Sequence, residues 1–502
     1  MKRIAIGLLL LCALLAAGYV FAGYWIGTQA QKQYDTLIAQ ATQPNVEVTG
    51  TSYERGLFNS TAVTRVVVKV PGEKQEEVFR ITLVNSILHG PLASVKTPHV
   101  DRSFEPVLAV ITTRLAPGRE QAEIVAKLLE KVPELGSSEM VTFLKFNGTG
   151  ESFLNIPSFQ KKVPIDGNEE LSVAWDGFRV ESRFDVANTT GSGSFTAPRL
   201  EMGNTAARIS SANVKGDFNT HPGLKGVTVG TLNLSCNHVE FRSNDDNSLG
   251  RIESAAIQAE SGVSGDTLNG SMLSRFEKLS IDGDTYGPFA FEVEFRKLEP
   301  TAIARFQQDM KEVQNRITGK SGEEIQGIME ECYKRLVRGL LTKSPELEIK
   351  QLKMSTPKGD LGAKLKLTIA DTEGAILENP MLFLNSVGIN LDAEIAEPLL
   401  LYWMESVFKG DFEGQAEAEN REGPEDQEGE EDGQSQESAT PKDPELARKL
   451  AAEKASGIIA GLIEQKMVIR ENGAIKASAS YDKSNLVING KKINLTDLLG
   501  KE

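Results

Sequence analysis

Two serine–lysine pairs, Ser158 with Lys161 and Ser480 with Lys483, stand at the i, i+3 spacing at which an amine can take the proton of a hydroxyl nucleophile. Neither has the companion motifs of such enzymes, and two fixed positions recur by chance in a chain of 502 residues. Asp282-Gly-Asp284-Thr-Tyr286-Gly287 begins like a calcium loop, which requires a bidentate glutamate at its twelfth position. The twelfth residue is Val293, and Glu292 falls one place early, so a tight turn is the better reading. His89, in His-Gly-Pro-Leu, has no Cys, Asp or Glu at ligand spacing and reads as a turn or sheet-edge residue. No Gly-x-Ser-x-Gly, HExxH, CxxC, P-loop or Gly-x-Gly-x-x-Gly occurs. The sequence therefore assigns no catalytic residue, no metal ligand and no cofactor.

Two groups of residues could instead make contacts. Tyr53, Arg55 and Phe58 set an arginine beside aromatics, a combination able to hold a carboxylate or phosphate head group or a partner. The plainer reading, that Gly56 makes a turn while Tyr53 and Phe58 pack, is favoured. Leu399, Leu400, Trp403, Met404 and Phe408 form an apolar stripe suited to acyl chains or a bilayer surface, since tryptophan beside leucines fits an interface. More often such a stripe is core.

The elements that must position these residues are mostly strands. Val46 and Val48 alternate before a turn at Glu54-Arg55-Gly56, and Val66, Val68 and Val70 alternate after it. Gly56 suggests a bulge or a positive φ there. A helical block follows over residues 119–131, with Ile124, Leu128 and Leu129 on one face. Residues 141–295 keep a two-residue period that shifts phase at turn residues, as an antiparallel meander requires. Leu171, Val173 and Trp175 run up to Asp176-Gly177, and Phe178 and Val180 run away from it. Such a sheet, apolar on one face, must be covered by a sheet, helices, lipid or a partner. Amphipathic helices come next over residues 298–317 and after a capping box at Ser321–Glu324, followed by a hairpin and further helical segments over 379–409. The chain closes with a helix over 441–466 and turns at Asn472-Gly473 and Asn489-Gly490.

Composition narrows the class. The net charge of −15 is largely local: residues 411–432 carry 11 acidic residues against Arg421. Residues 411–439 read as an acidic disordered insert. No basic face with interleaved aromatics is present, which excludes nucleic acid as a partner. At the start, residues 4–27 hold no charge and would extend about 36 Å as a helix, enough for a hydrocarbon core of about 30 Å. Lys2 and Arg3 precede the run, which predicts a cytoplasmic N-terminus and the bulk outside. A removable signal ending near Ala16-Ala17-Gly18 is the alternative, but Tyr19, Phe21, Tyr24 and Trp25 continue the run beyond it. Cys236 and Cys332 read as free buried thiols, with one disulfide as the less favoured reading.

The N-terminal span, Tyr53-x-Arg55-Gly56-x-Phe58-x-Ser60, His89-Gly90-Pro91-Leu92, VTFLKFNGTGESF, GPFAFEVEFRKLEPTAI and Leu486-Val-Ile-Asn489-Gly490, in this order, resemble the bacterial YdgA-like family. The acidic insert departs from that pattern. The resemblance implies an inner-membrane protein facing the periplasm, able to self-associate, with no substrate or catalytic residues to carry over. HGPL followed by β-repeats also has a faint likeness to AsmA-like envelope proteins.

The expected fold is α+β: a stub over residues 1–3, a transmembrane helix over 4–27 as the membrane contact, and a large antiparallel β-rich domain over 28–410 with packed amphipathic helices. The acidic insert then precedes residues 440–502, which complete the domain. The expected role is a non-catalytic binding or scaffolding protein of the cell envelope, single-pass in the inner membrane. A lipid-handling module with an apolar sheet groove is the alternative, and an unrecognised enzyme the third. Homo-oligomers and lipid are the partners these readings admit.

Overall fold

A computed structural model describes residues 2–41, 46–70, 77–90, 93–97, 100–164, 170–185, 187–243, 248–316, 322–370, 382, 385–408, 444–482 and 485–493. The acidic insert over 411–439, Ser321 of the expected capping box and Lys483 lie outside the described residues. The chain forms two compact units, Met1–Gly283 with Lys297–Leu340, and Asp284–Arg296 with Leu341–Glu502. Antiparallel sheet dominates both.

The first unit begins with α1 (Lys2–Ala41), which corrects the expected fold class. Among the described residues no helix is long and apolar enough to cross a membrane. The C-terminal half of α1 instead lays one side on the sheet. Gly23 rests on the Phe58 ring, Gly27 rests on the His89 ring, and Ile26 and Ala30 are buried in the first core. Tyr19, Val20, Phe21, Tyr24 and Trp25, on the other side of the helix, are exposed.

After α1 come β1 (Val46–Arg55), β2 (Asn59–Val70), β3 (Glu77–His89), the β4 (Ala93–Lys96) and β5 (Asp101–Glu105) hairpin, and β6 (Ala109–Leu115). The β1–β2 turn falls where the valine alternation predicts it, with Arg55 paired to Ser60. Gly56 is needed there for a different reason from the one expected. A Cβ on it would lie 2.4 Å from the Asn59 carbonyl oxygen, to which the Gly56 N–H donates. Helix α2 (Glu123–Lys131) buries Val125, while Ile124 and Leu128 are exposed, the reverse of the face read from the sequence.

The meander continues through β7 (Glu139–Leu144), β8 (Thr149–Ile156), β9 (Phe159–Pro164), β10 (Glu170–Trp175), β11 (Phe178–Asp185), β12 (Thr190–Gly203) and β13 (Ala207–Pro222). It goes on through β14 (Thr228–Ser243), β15 (Leu249–Ser264), β16 (Thr267–Phe276) and β17 (Lys278–Ile281). Asp176-Gly177 does not reverse the chain. Strands β10 and β11 both pair with β12, at Leu200–Gly203 and Thr190–Thr196, so they are two halves of one line interrupted at Gly177, where φ is +96°. Asn213 and Ser254 have φ of 52° and 53° at the same cross-strand level. There the apolar alternation slips by one residue, from Leu232, Leu234 and Cys236 to Val239 and Phe241. One irregular residue per strand permits such a slip.

Helices α3 (Pro300–Arg316) and α4 (Gly322–Leu340) pack on each other through Phe306 and Tyr333, with ring centroids 5.5 Å apart. Ile303 and Ala304 of α3 meet Val227, Val229 and Leu268 at one end of the meander. Cys332 is buried and Cys236 partly buried, and both are free.

The second unit comprises β18 (Asp284–Tyr286), β19 (Phe289–Leu298), β20 (Glu346–Thr356), β21 (Gly359–Ile369), β22 (Val387–Ala396), α5 (residues 397–408), α6 (Pro444–Glu464), β23 (Ile469–Glu471), β24 (Ala474–Asp482), β25 (Asn485–Ile488) and β26 (Lys491–Ile493). Strand β22 replaces part of the helical stretch expected over 379–409. Its apolar alternation matches that of its neighbours, Leu365 to Leu391 to Ala479. Asn472-Gly473 makes the β23–β24 turn and Asn489-Gly490 the β25–β26 turn, all four with positive φ. On the polar face Glu294 is held at about 2 by hydrogen bonds from Arg296 and Lys350.

Candidate functional site

The Tyr53-to-Ser60 stretch, read from the sequence as a candidate head-group contact, is the seat of α1. Phe58 lies 5.0 Å from the Tyr19 ring and fills the space beside Gly23. Arg55 places its guanidinium 4.7 Å from the Tyr24 ring centre and donates to the Thr28 hydroxyl at 3.0 Å. Tyr53 packs against Tyr34, ring centres 5.6 Å apart and tilted. All three side chains are engaged with the helix. Tyr53 and Phe58 thus pack, and Arg55, which the plainer reading left aside, is engaged as well.

Beneath the helix runs a buried polar seam. Asn85 donates to the Thr64 hydroxyl at 2.8 Å, the Tyr34 hydroxyl at 3.1 Å and the Ala62 carbonyl at 3.2 Å, and accepts from Thr113 at 2.7 Å. Tyr34 and Thr64 are joined at 2.6 Å. Burial pushes the Tyr34 and Tyr53 hydroxyls above their ordinary range, with Thr64 and Ser60 respectively drawing them back. One asparagine therefore ties four elements together. Replacing Asn85 by alanine strands several buried polar groups at once and should cost about 3 kcal/mol. Urea unfolding would show it as a lowered midpoint with an unchanged slope.

Next to the seam, Ser60 and His89 share a hydrogen bond of 3.0 Å between Oγ and Nε2. This resembles a nucleophile–base pair but cannot act as one here. Both residues are buried, and the helix backbone at Gly27 lies against the imidazole.

The seat is one end of a longer face. Residues paired across strands share a face, and one such row runs Ser60, Ile87, Ile111, Thr142, Ser152, Ser182, Gly193, Phe218, Leu232, Ala259, Met272. The next row runs Asn85, Thr113, Met140, Leu154, Val180, Phe195, Gly216, Leu234, Ile257. The first row crosses eleven strands, about 48 Å at the usual interstrand spacing. Where the two rows cross β2–β6 they lie under α1 and mix Ile87 and Ile111 with Ser60, Asn85 and Thr113, whereas at β14–β16 they are apolar and open. Leu232 and Ile257 are 44% and 40% exposed. Between these ends the floor is smooth, because phenylalanine rings lie over cross-strand glycines: Phe184 over Gly150, Phe218 over Gly193 and Phe195 over Gly216. The reverse face carries ion pairs, among them Lys145–Glu151 and Arg251–Glu240. Beside them lies the core of Val100, Val110, Val141 and Phe143, which Val95 of β4 packs against.

The other predicted contact residues lie in the second unit, on α5. Leu399 is core, at 2% exposure; Leu400 and Met404 are partly buried, and Phe408 is covered by the Lys454 ammonium 4.4 Å above its ring. Trp403 is 42% exposed. The structure does not gather these five into one surface. Of the serine–lysine pairs, Lys161 is bound to Glu134 at 2.8 Å. Asp282 and Gly283 both have positive φ, as a tight turn requires, and the Asp282 carboxylate accepts from the Leu249 N–H of β15. Among the described residues no group of three or more His, Cys, Asp or Glu could hold a metal ion.

A small-residue seat, a buried polar seam and a long antiparallel sheet define a β-rich protein. The chain belongs to the family described as "Bacterial protein of unknown function (DUF945)", whose model matches residues 1–496. It is similar to Protein YdgA of Escherichia coli (strain K12), with 21% identity over 519 aligned positions, 97% of this chain and 94% of that protein. No solved structure matches.

Proposed function

We propose that this protein acts by binding, without a catalytic step, and that its ligand is a lipid acyl chain lying along the open end of the long sheet face. The observation behind this reading is the exposed apolar end of the rows, at Leu232 and Ile257, continuous with a smooth floor. Large apolar areas on a sheet face that water must otherwise cover mark contact sites. Between the scaffold and the lipid-handling readings, this favours the second, because the far end of the face is open whereas α1 covers the near end.

A second copy of the chain is the competing occupant. Sheet-on-sheet packing depends on side chains that interdigitate, whereas rings filling the space over glycines leave little to interlock. An acyl chain has no polar groups to satisfy and needs only apolar contact along its length, worth roughly 0.8 kcal/mol per buried methylene. The same face already carries one apolar rod, α1, at its other end. The cell envelope, with the bulk of the chain on the periplasmic side, is the setting we propose; it rests on the YdgA-like resemblance. Purification of the full chain in mild detergent followed by lipid mass spectrometry should recover about one diacyl lipid per chain. Lipid-free protein that instead self-associates with rising concentration would replace this reading by the dimer.

A further inference from the structure

We propose that α1 is an acid-released cover, latched over the β2–β3 end of the sheet face by the neutral form of His89. The latch does not depend on what ligand the open end takes. His89 is 1% exposed; its Nε2 meets the Ser60 hydroxyl, and its Nδ1 makes no hydrogen bond of good geometry, with the Asn59 and Gly23 backbones close by. The α1 backbone closes over it so tightly that a Cβ on Gly27 would stand 2.5 Å from the imidazole Cε1. A second proton on the ring would be buried, with only the Asn59 and Gly23 backbones to receive it, while the helix is docked.

The groups facing the ring agree with this. From α1 come the Gly23 and Gly27 backbones, from β2 Ser60 and the Asn59 backbone, and from β1 the Arg55 guanidinium. Arg55 is the charged group acting on His89, and it repels a second positive charge. Asp35 on α1 acts on Tyr34 and Tyr53. Burial lowers the His89 pKa below its ordinary 6.5, Arg55 lowers it further, and the Asn59 and Gly23 backbones work the other way. The sign follows. A histidine whose pKa is lowered by docking binds more protons when undocked, so docking is at full strength above pH 6.5 and weakens as pH falls below it. The free edge of the cover is already weak: Arg55 holds Tyr24 and Thr28 from an exposed position, while the seam at Asn85 anchors the far end near Tyr34. Release therefore lifts the Gly23–Gly27 segment first.

Amide hydrogen exchange of the full chain at pH 7.5 and 5.5, corrected for the intrinsic exchange rate, tests this with β13–β15 as internal standard. Peptides covering residues 20–30 should lose protection about tenfold at the lower pH, and His89→Gln should remove that pH difference. Equal protection of those peptides at both pH values in the native chain overturns the proposal, as does an unchanged drop in His89→Gln. Because the variant could fold poorly, the native imidazole is also followed by NMR. A His89 signal that titrates near 6.5 while residues 20–30 stay protected overturns it equally.

Discussion

Gly27→Leu should detach the N-terminal helix from the sheet. A leucine there places its Cβ inside the His89 ring, at 2.5 Å from Cε1, and the ring cannot yield because Ser60 holds it and the sheet lies behind it. Overpacking of this kind typically costs 1–3 kcal/mol when neighbours can shift. Here the helix axis itself must move away, and that motion also withdraws Ile26 and Ala30 from the core they share with Ile87 and Ile111. The expected loss is therefore about 3 kcal/mol of docking free energy, or roughly a hundredfold drop in amide protection across residues 20–34. Exchange in β13–β15 should be unchanged, since those strands are held by their own ladders. Gly50→Ala is the control: nothing lies within 4 Å of the new methyl group, and it should leave α1 protected. Full protection of α1 in Gly27→Leu would show that the helix is not held through this contact.

That contact was the least legible feature of the sequence. The run over residues 4–27 is apolar whether its partner is lipid or protein, and hydropathy reports only that water is avoided. The small residues at 23, 27 and 30 are what distinguish a helix pressed against a sheet. Their meaning depends on Phe58 and His89, which are remote in sequence. The same gap affected Tyr53, Arg55 and Phe58. Their grouping was visible, and the packing reading was preferred for Tyr53 and Phe58, but Arg55 could be placed only once Tyr24 and Thr28 were seen beneath it.

Strand alternation, by contrast, was legible. Val66–Val70, Leu232–Cys236 and Phe289–Phe295 fall on strands because a period of two has few other physical causes. Failure came where one signal has two causes. Glycine with positive φ serves a hairpin and an interrupted strand equally, which is why Asp176-Gly177 read as a reversal. Helical periodicity in the leucine-rich α5 hid the strand immediately before it. The long rows across eleven strands were beyond reach, since each needs a register at every pairing, and one residue of slip exchanges the two faces.

Those rows make the last expected result specific. Leu232→Glu with Ile257→Glu puts two carboxylates on the open end of the face, one on each of two adjacent strands. Both positions are well exposed, so the double variant should fold with a stability change within about 1 kcal/mol. Lipid binding should suffer far more. A carboxylate cannot be covered by an acyl chain without losing its water, and avoiding it forfeits the contacts of about three methylenes, near 2.4 kcal/mol. The predicted loss is about fiftyfold in affinity for a phospholipid carrying a pyrene-labelled acyl chain, read by fluorescence titration. Gln258→Glu gives the matched control, on the same strand as Ile257 but one residue along, and hence on the opposite face. It adds a carboxylate without touching the rows and should bind as the native chain does. Equal affinity in the double variant would take the ligand off this face. Equal loss in Gln258→Glu would show that added negative charge alone weakens the interaction. Selective loss would mean that the exposed leucine and isoleucine touch the chain, and that the flat floor beside them is the path it follows.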